Sequence, residues 1–282
     1  MIDSHFHVWD SEVRDHAWLS AAPTLERRYE IERYEHEADQ LGFDGAVLVQ
    51  VLNDADETRE FLAVADASPL VQGVVGWVDL AAPDVDEQLA VLQLSQNGRY
   101  LVGVRHLLEG EVDADFLERP AVYRGLCALA RRGLIFDFMG RTDQLASARR
   151  VLERCEELRI VLDRSGKPVL DDLSAFDWDE HVVAMAKTGR VSAKFAGLAN
   201  EAGPHWSPAA IQPVVDFLLD ALGPTSLLFG SDWPVCLMVA SFDEVLALTR
   251  ECFRGLEPSE LRDVLGGNAR RVYGLAPASS AA

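Results

Sequence analysis

The chain has 282 residues, and 46 acidic against 26 basic side chains leave a formal charge of −20 at pH 7. That charge excludes a nucleic-acid backbone or an anionic membrane as a general partner. A hydrophobic content of 49% excludes wholesale disorder, and no apolar run approaches the ~18 residues of a membrane span.

Eight short apolar runs read as strands: 2–8, 45–52, 72–78, 100–106, 134–138, 160–163, 191–195 and 227–230. Several are near-continuous, such as Ala46-Val47-Leu48-Val49-Gln50-Val51, as expected for strands buried on both faces of a parallel sheet. Helical patterns lie between them at 56–67, 85–96, 120–132, 142–157, 179–188, 208–222, 243–253, 259–265 and 268–273. Pro83-Asp84 starts one helix and Gly223-Pro224 stops another. Eight strands alternating with helices predict a single-domain (β/α)8 barrel over 1–275, with an open doubly wound sheet as the alternative. Residues 10–34 read as an irregular insertion packed by Trp9, Trp18 and Tyr29, and 276–282 as a disordered tail.

The start of the chain lacks the basic-then-apolar pattern of a secretory leader, so a cytoplasmic protein is expected. Cys127, Cys155, Cys236 and Cys252 form no CxxC pair and are expected to be reduced thiols. GxGxxG, Walker and GxSxG motifs are all absent, which removes support for nucleotide-driven or serine-acyl chemistry.

In such a barrel the active site lies at the carboxyl ends of the strands. The polar residues predicted there are His5, His7, Arg105, His106, Asp137, Arg141, Asp163, Arg164, Lys194 and Asp232. His5-x-His7 has period two, so both imidazoles share one strand face and suit a divalent metal; two histidines on a surface strand are the alternative. Asp232 follows an apolar strand and opens a turn, where it would ligate a metal or take a proton from water; a helix N-cap is the alternative. Arg105-His106 suits polarising a carbonyl, with only one of the two pointing inward. Arg164, Lys194, Arg141, Trp233 and His205 are read as substrate-binding, and Asp163 as a carboxylate behind a ligand. His16, His36 and His181 have no such context.

Four segments together carry a family resemblance: Ile2-Asp3-Ser4-His5-Phe6-His7-Val8-Trp9-Asp10; Gly103-Val104-Arg105-His106; Val161-Leu162-Asp163 with Gly166-Lys167-Pro168; and Leu228-Phe229-Gly230-Ser231-Asp232-Trp233-Pro234-Val235. They resemble the amidohydrolase-2 family, in its sugar-lactone and pyrone-dicarboxylate lactonase branch, over nearly the whole chain. The resemblance implies a (β/α)8 barrel that hydrolyses a cyclic ester, with water activated by the aspartate matching Asp232. It implies a divalent metal, zinc above all, on His5, His7 and Asp232, although some relatives in the branch work without one. One position departs from the pattern: the family commonly has histidine where Arg164 stands, and arginine cannot ligate a cation. A metal held weakly by His5, His7 and Asp232, a metal-free enzyme in which Arg164 and Arg105 bind an anionic lactone, and a barrel that binds a sugar acid without turning it over all follow as readings, the lactone being that of a sugar acid or a carboxylated small molecule. A metal-dependent decarboxylase of the same family is the other enzyme reading. The expected partner is a small-molecule lactone, with a homo-oligomer left open.

Overall fold

The first strand sets the phase of the whole barrel. In the computed structural model, which describes residues 1–276, β1 (Ile2–Phe6) pairs in parallel with β2 (Gly45–Val49). The register slips between Asp3 and Phe6, a β-bulge. Such an extra residue re-aims the side chains that follow it. Ile2 packs with the apolar barrel interior, yet His5 and His7 also point inward, across an odd and then an even step. Phe6 points outward and stacks on Tyr34, ring centroids 3.7 Å apart.

The remaining strands follow in order: β3 (Val71–Gly76), β4 (Leu101–Leu107), β5 (Ile135–Met139), β6 (Ile160–Leu162), β7 (Val191–Phe195) and β8 (Leu227–Phe229). All pairs from β1 to β8 are parallel neighbours. The barrel closes with few bonds. Asp232 N–H donates to the His5 carbonyl at 2.8 Å, His7 N–H to the Trp233 carbonyl at 2.7 Å, and Ser4 Oγ to the Phe229 carbonyl at 2.6 Å. The single-domain (β/α)8 barrel expected from the sequence is the observed fold. Most predicted strands run one to three residues too far at their carboxyl ends, because there the chain leaves the ladder to build loops.

The helices are α1 (Ile31–Gln40), α2 (Ala55–Ala67), α3 (Val85–Leu94), α4 (Pro120–Arg131), α5 (Leu145–Arg154), α6 (Trp178–Ala186), α7 (Leu198–Ala202), α8 (Pro208–Leu222), α9 (Phe242–Cys252), α10 (Pro258–Arg262) and α11 (Asn268–Tyr273). Local chemistry explains their starts. Asp54 caps α2 by accepting from Asp56 N–H, Ser207 caps α8 ahead of Pro208, and Ser241 with Glu244 forms a capping box on α9. Two helices have no counterpart in the sequence reading. α1 starts inside the stretch read as irregular, and its mixed charged sequence hides the buried Tyr34 and Ala38. α7 has only five residues. Before α1 the insertion forms two short 3₁₀ turns, and Trp9, Trp18 and Tyr29 pack edge to face. Ala276 still accepts a bond from Arg270, whereas the tail read as disordered otherwise falls at 277–282, outside the described residues. Among the described residues no helix is long and apolar enough to cross a membrane.

Ile2, Val47, Val49, Val75, Ile135, Val161 and Leu228 fill the amino-terminal half of the barrel, with Ala269 and Tyr273 of α11 packed beneath them. This apolar plug leaves the other end to polar residues. There, Glu57 of α2 is buried and accepts from Val51 N–H at 2.8 Å and Leu52 N–H at 3.0 Å, which holds the turn after β2. Burial pushes its carboxyl up to about 7 from an ordinary 4.5, against the opposing pull of those two N–H groups and of Arg14 and Arg105. The fold therefore retains a proton that the unfolded chain has lost, and stability falls as pH rises from about 4.5 to about 7. Glu57→Gln keeps the acceptor and removes the titration. It is expected to match the parent at pH 5 and to exceed it by about 2 kcal/mol at pH 8 in denaturant titrations. An unchanged difference between the two pH values would contradict this account.

Candidate active site

The two imidazoles leave β1 side by side, ring centroids 4.8 Å apart and nearly perpendicular. His7 Nδ1 donates to the Val49 carbonyl at 2.8 Å, because a carbonyl only accepts. That fixes the neutral tautomer and turns the Nε2 lone pair toward Asp232 Oδ1, 3.4 Å away. His5 Nε2 lies 3.6 Å from the same oxygen. Burial, with Lys194 nearby, pushes His5 down to about 3 despite the opposing charge of Asp163. Burial likewise lowers His7. Both rings are thus neutral at physiological pH.

Asp232 is fully buried and sits at φ 56°, a left-handed backbone that a non-glycine residue adopts at a cost. Neither of its carboxylate oxygens has a hydrogen-bond partner. Arg164 Nη2 approaches Oδ2 at 2.9 Å as an ion pair. Burial is the largest single influence and would raise this carboxyl, but Arg164 together with His7 and His5 outweighs it and holds the group well below the usual carboxylate range. Gly197, φ 64°, lies between β7 and α7 against the pair. A Cβ there would lie 2.8 Å from Asp232 Oδ2 and 2.8 Å from Arg164 Nε, so no side chain fits.

Arg164 starts a turn in which Arg164, Ser165 and Lys167 all have positive φ. Ser165 Oγ donates to the Lys194 carbonyl at 3.0 Å, and Trp178 Nε1 donates to the Ser165 carbonyl at 3.1 Å, which holds the strained turn in place. Arg105 points inward from β4. It donates to Asp163 Oδ2 at 3.0 Å and to the side chain and carbonyl of Gln50. Lys194 lies underneath with no exposure, 2.6 Å from Asp137 Oδ2, 2.9 Å from Asp163 Oδ1 and 3.1 Å from His5 Nδ1. Tyr273 donates to Asp137 at 2.8 Å.

Above this floor opens a cleft of about 610 Å³. Its floor exposes His7, Arg105 and Arg164. Trp9, Trp18 and Ala22 of the insertion region give it an apolar side, as do Val235, Met238 and Val239. Asn53, Glu109, Asn200 and Glu201 supply polar groups.

The structure brings together His5, His7, Arg105, Arg164 and Asp232 as the sequence predicts, with Asp163 and Lys194 directly behind. Four other candidates go elsewhere. His106 faces away from the cleft: its Nδ1 accepts from Trp77 Nε1 at 3.1 Å, its Nε2 meets Glu111 at 3.0 Å, and its ring stacks on Phe116. Both nitrogens are occupied, so a catalytic part for His106 has no geometric support. Arg141 is tied to Asp143 and to the carbonyls of Glu109 and Glu111, in a neighbouring groove. Trp233 is fully buried and donates to Glu37, and His205 is exposed outside the cleft lining. Lys194 reaches no substrate, because it is sealed below His5. Gln50, Glu109, Glu201 and Tyr273 were not singled out from sequence. Glu109 and Glu201 follow β4 and β7 closely enough for position to have flagged them. Tyr273 carried no signal, since its contact to Asp137 spans 136 positions.

His5, His7 and Asp232 offer three donor atoms within 4.8 Å of one another. Two neutral imidazoles and a carboxylate without hydrogen-bond partners are donors that suit a divalent cation. Arg164, Arg105 and Lys194 lie against the same three groups and weaken the attraction for such an ion.

The chain is similar to known proteins over nearly its whole length. An L-fucono-1,5-lactonase of Burkholderia multivorans is 33% identical, over 97% of this chain and 96% of its own. One from Burkholderia ambifaria is 31% identical, over 96% and 94%. The crystal structure of a Burkholderia multivorans amidohydrolase with bound zinc superposes with a TM-score of 0.90 at 31% identity, covering 98% of this chain and 99% of that one. The amidohydrolase family model matches residues 2–275, and the chain belongs to that family, as a hydrolase.

Proposed function

We propose that the protein opens an uncharged aldono-1,5-lactone to its hydroxy acid. The observation that carries this reading is Asp232, a buried carboxylate with both oxygens unbonded, paired with Arg164 and set just behind His7, where Arg105 and Arg164 reach the floor of a cleft with apolar walls. The two L-fucono-1,5-lactonases at 33% and 31% identity support the choice of lactone. Charge refines it. Arg105, Arg164, Lys167 and Lys194 face Asp137, Asp163, Asp232, Glu109 and Glu201, so four cations meet five carboxylates and each cation is already paired. Such a site offers no unpaired cation to a carboxylated lactone, which favours the uncharged aldonolactone over the anionic one.

The lactone lies in the cleft with its carbonyl oxygen toward Arg105 and Arg164. Asp232 orients a water molecule and takes its proton as the oxygen attacks the carbonyl carbon. Arg164 shares its charge between Asp232 and the developing alkoxide, which loosens its hold on the carboxylate as the base is needed. The ring C–O bond then breaks, and the proton on Asp232 passes to the departing oxygen. The product is a hydroxy acid that ionises and releases one proton. His7 and His5 stand beside Asp232 as neutral rings, His7 presenting its Nε2 lone pair to Oδ1 at 3.4 Å, and so leave the carboxylate free to accept a proton. A zinc ion bound by His5, His7 and Asp232 would supply Lewis-acid polarisation of the carbonyl or the water.

Proton release near neutral pH, followed with a panel of aldonolactones, tests the reading. Fast release with a hexono-1,5-lactone is expected, and most of it is expected to survive a chelator, since the two guanidinium groups already polarise the carbonyl. Absence of release across the panel would overturn the assignment; CO₂ evolution from a carboxylated aromatic would replace it with decarboxylation.

A further inference from the structure

The turns after β4, β6 and β7 meet at one lysine. Lys167 Nζ lies 2.5 Å from Glu109 Oε1 and 3.6 Å from Glu201 Oε1, and Arg164 Nη1 shares that Glu201 oxygen at 3.3 Å. Glu109 and Glu201 line the cleft, whereas Lys167 lines a neighbouring groove of about 560 Å³ that Glu201 also borders. The bridge is anchored at both ends. Thr142 Oγ1 donates to the Lys167 carbonyl at 2.6 Å, and Arg141 Nη1 donates to the carbonyls of Glu109 at 3.2 Å and Glu111 at 2.9 Å. Lys167 itself sits at φ 53°, so a strained turn is maintained at this place. The chemistry at the carbonyl makes no use of it. Among the described residues, Oε2 of Glu109 and Oε2 of Glu201 have no hydrogen-bond partner.

We propose that Lys167 is a positioning residue for specificity: it clamps Glu109 and Glu201 so that their free oxygens accept hydroxyl groups of the lactone ring. The inference rests on the aldonolactone reading above. Without Lys167 the Glu109 carboxylate would be mobile and Glu201 would keep Arg164 alone, and ordering the pair would cost affinity on every binding event. Held by Lys167 they are pre-set, and an ionised acceptor makes the stronger bond to a hydroxyl. A site so arranged favours a hydroxylated ring over a bare one.

The test compares wild type, Lys167→Met and Lys167→Arg on a hexono-1,5-lactone and on δ-valerolactone, which keeps the ring and ester but has no hydroxyl. In Lys167→Met, the preference in kcat/KM for the hydroxylated lactone is expected to fall by about tenfold, through KM rather than kcat. Lys167→Arg should restore most of it. Equal effects on both lactones, or none, would overturn the inference while leaving lactone hydrolysis intact. A wild type that opens only δ-valerolactone overturns hydroxyl recognition, and one that opens neither overturns the lactonase reading with it.

Discussion

Replacing Asp232 by Asn is expected to lower kcat for lactone opening by about 10³-fold while the barrel stays folded. The amide has nearly the same volume, and Arg164 retains Glu201 as a partner at 3.3 Å, so the guanidinium is not stranded. The backbone bond from residue 232 to the His5 carbonyl does not depend on the side chain. What disappears is the group that accepts a proton from water and returns it to the ring oxygen. Circular dichroism and a melting curve would establish the fold, and proton release would give the rate. A variant retaining a tenth or more of the parental kcat would remove Asp232 from the role of base and leave Arg105 and Arg164 as the main source of catalysis.

Lys194→Met is expected to destabilise the protein by about 3–5 kcal/mol, the range for removing one partner of a buried ion cluster. The lysine is sealed from solvent between Asp137 and Asp163. Methionine fills similar space but leaves Asp137 without a cation, facing an Asp163 whose one remaining partner charge is Arg105. Asp163 also holds Arg105, and Lys194 touches His5, so the loss spreads to the floor of the cleft. Denaturant midpoints give the stability term, and kcat measured well below the melting temperature gives the effect on the site. A loss under about 1 kcal/mol would mean that Asp137 and Asp163 are neutral in the native protein, and that the lysine is not the charge that balances them.

The barrel was legible because parallel strands buried on both faces leave unmistakable runs, such as Ala46 to Val51. Residues at the ends of those runs were legible too, since topology alone sends strand ends to one face. Period two placed His5 and His7 together without knowledge of the bulge between Asp3 and Phe6. What sequence could not supply was direction within a loop. Arg141 and His205 follow strands just as Arg164 does, yet one turns to Asp143 and the other to solvent. His106 failed for the opposite reason: alternation allows only one of two neighbours inside, and nothing local says which. Lys194 was found, but its burial reversed its meaning from substrate contact to internal counter-ion. Tyr273 was invisible because its partner is distant in the chain.

The closing seam of the barrel and the candidate donors are the same few residues. Seven strand pairs are zipped by parallel ladders, whereas β1 meets β8 through a handful of bonds at Ser4, His5, His7, Asp232 and Trp233. Asp3 reinforces them, accepting from Ser231, His5 N–H and the Tyr34 hydroxyl. The thinnest join in the sheet thus carries the chemistry, and the joint's breathing is also the site's. Heat, pressure or a distant loosening of the first strand will be felt as lost turnover well before the other seven ladders give way, so the molecule retires from work while it still looks folded.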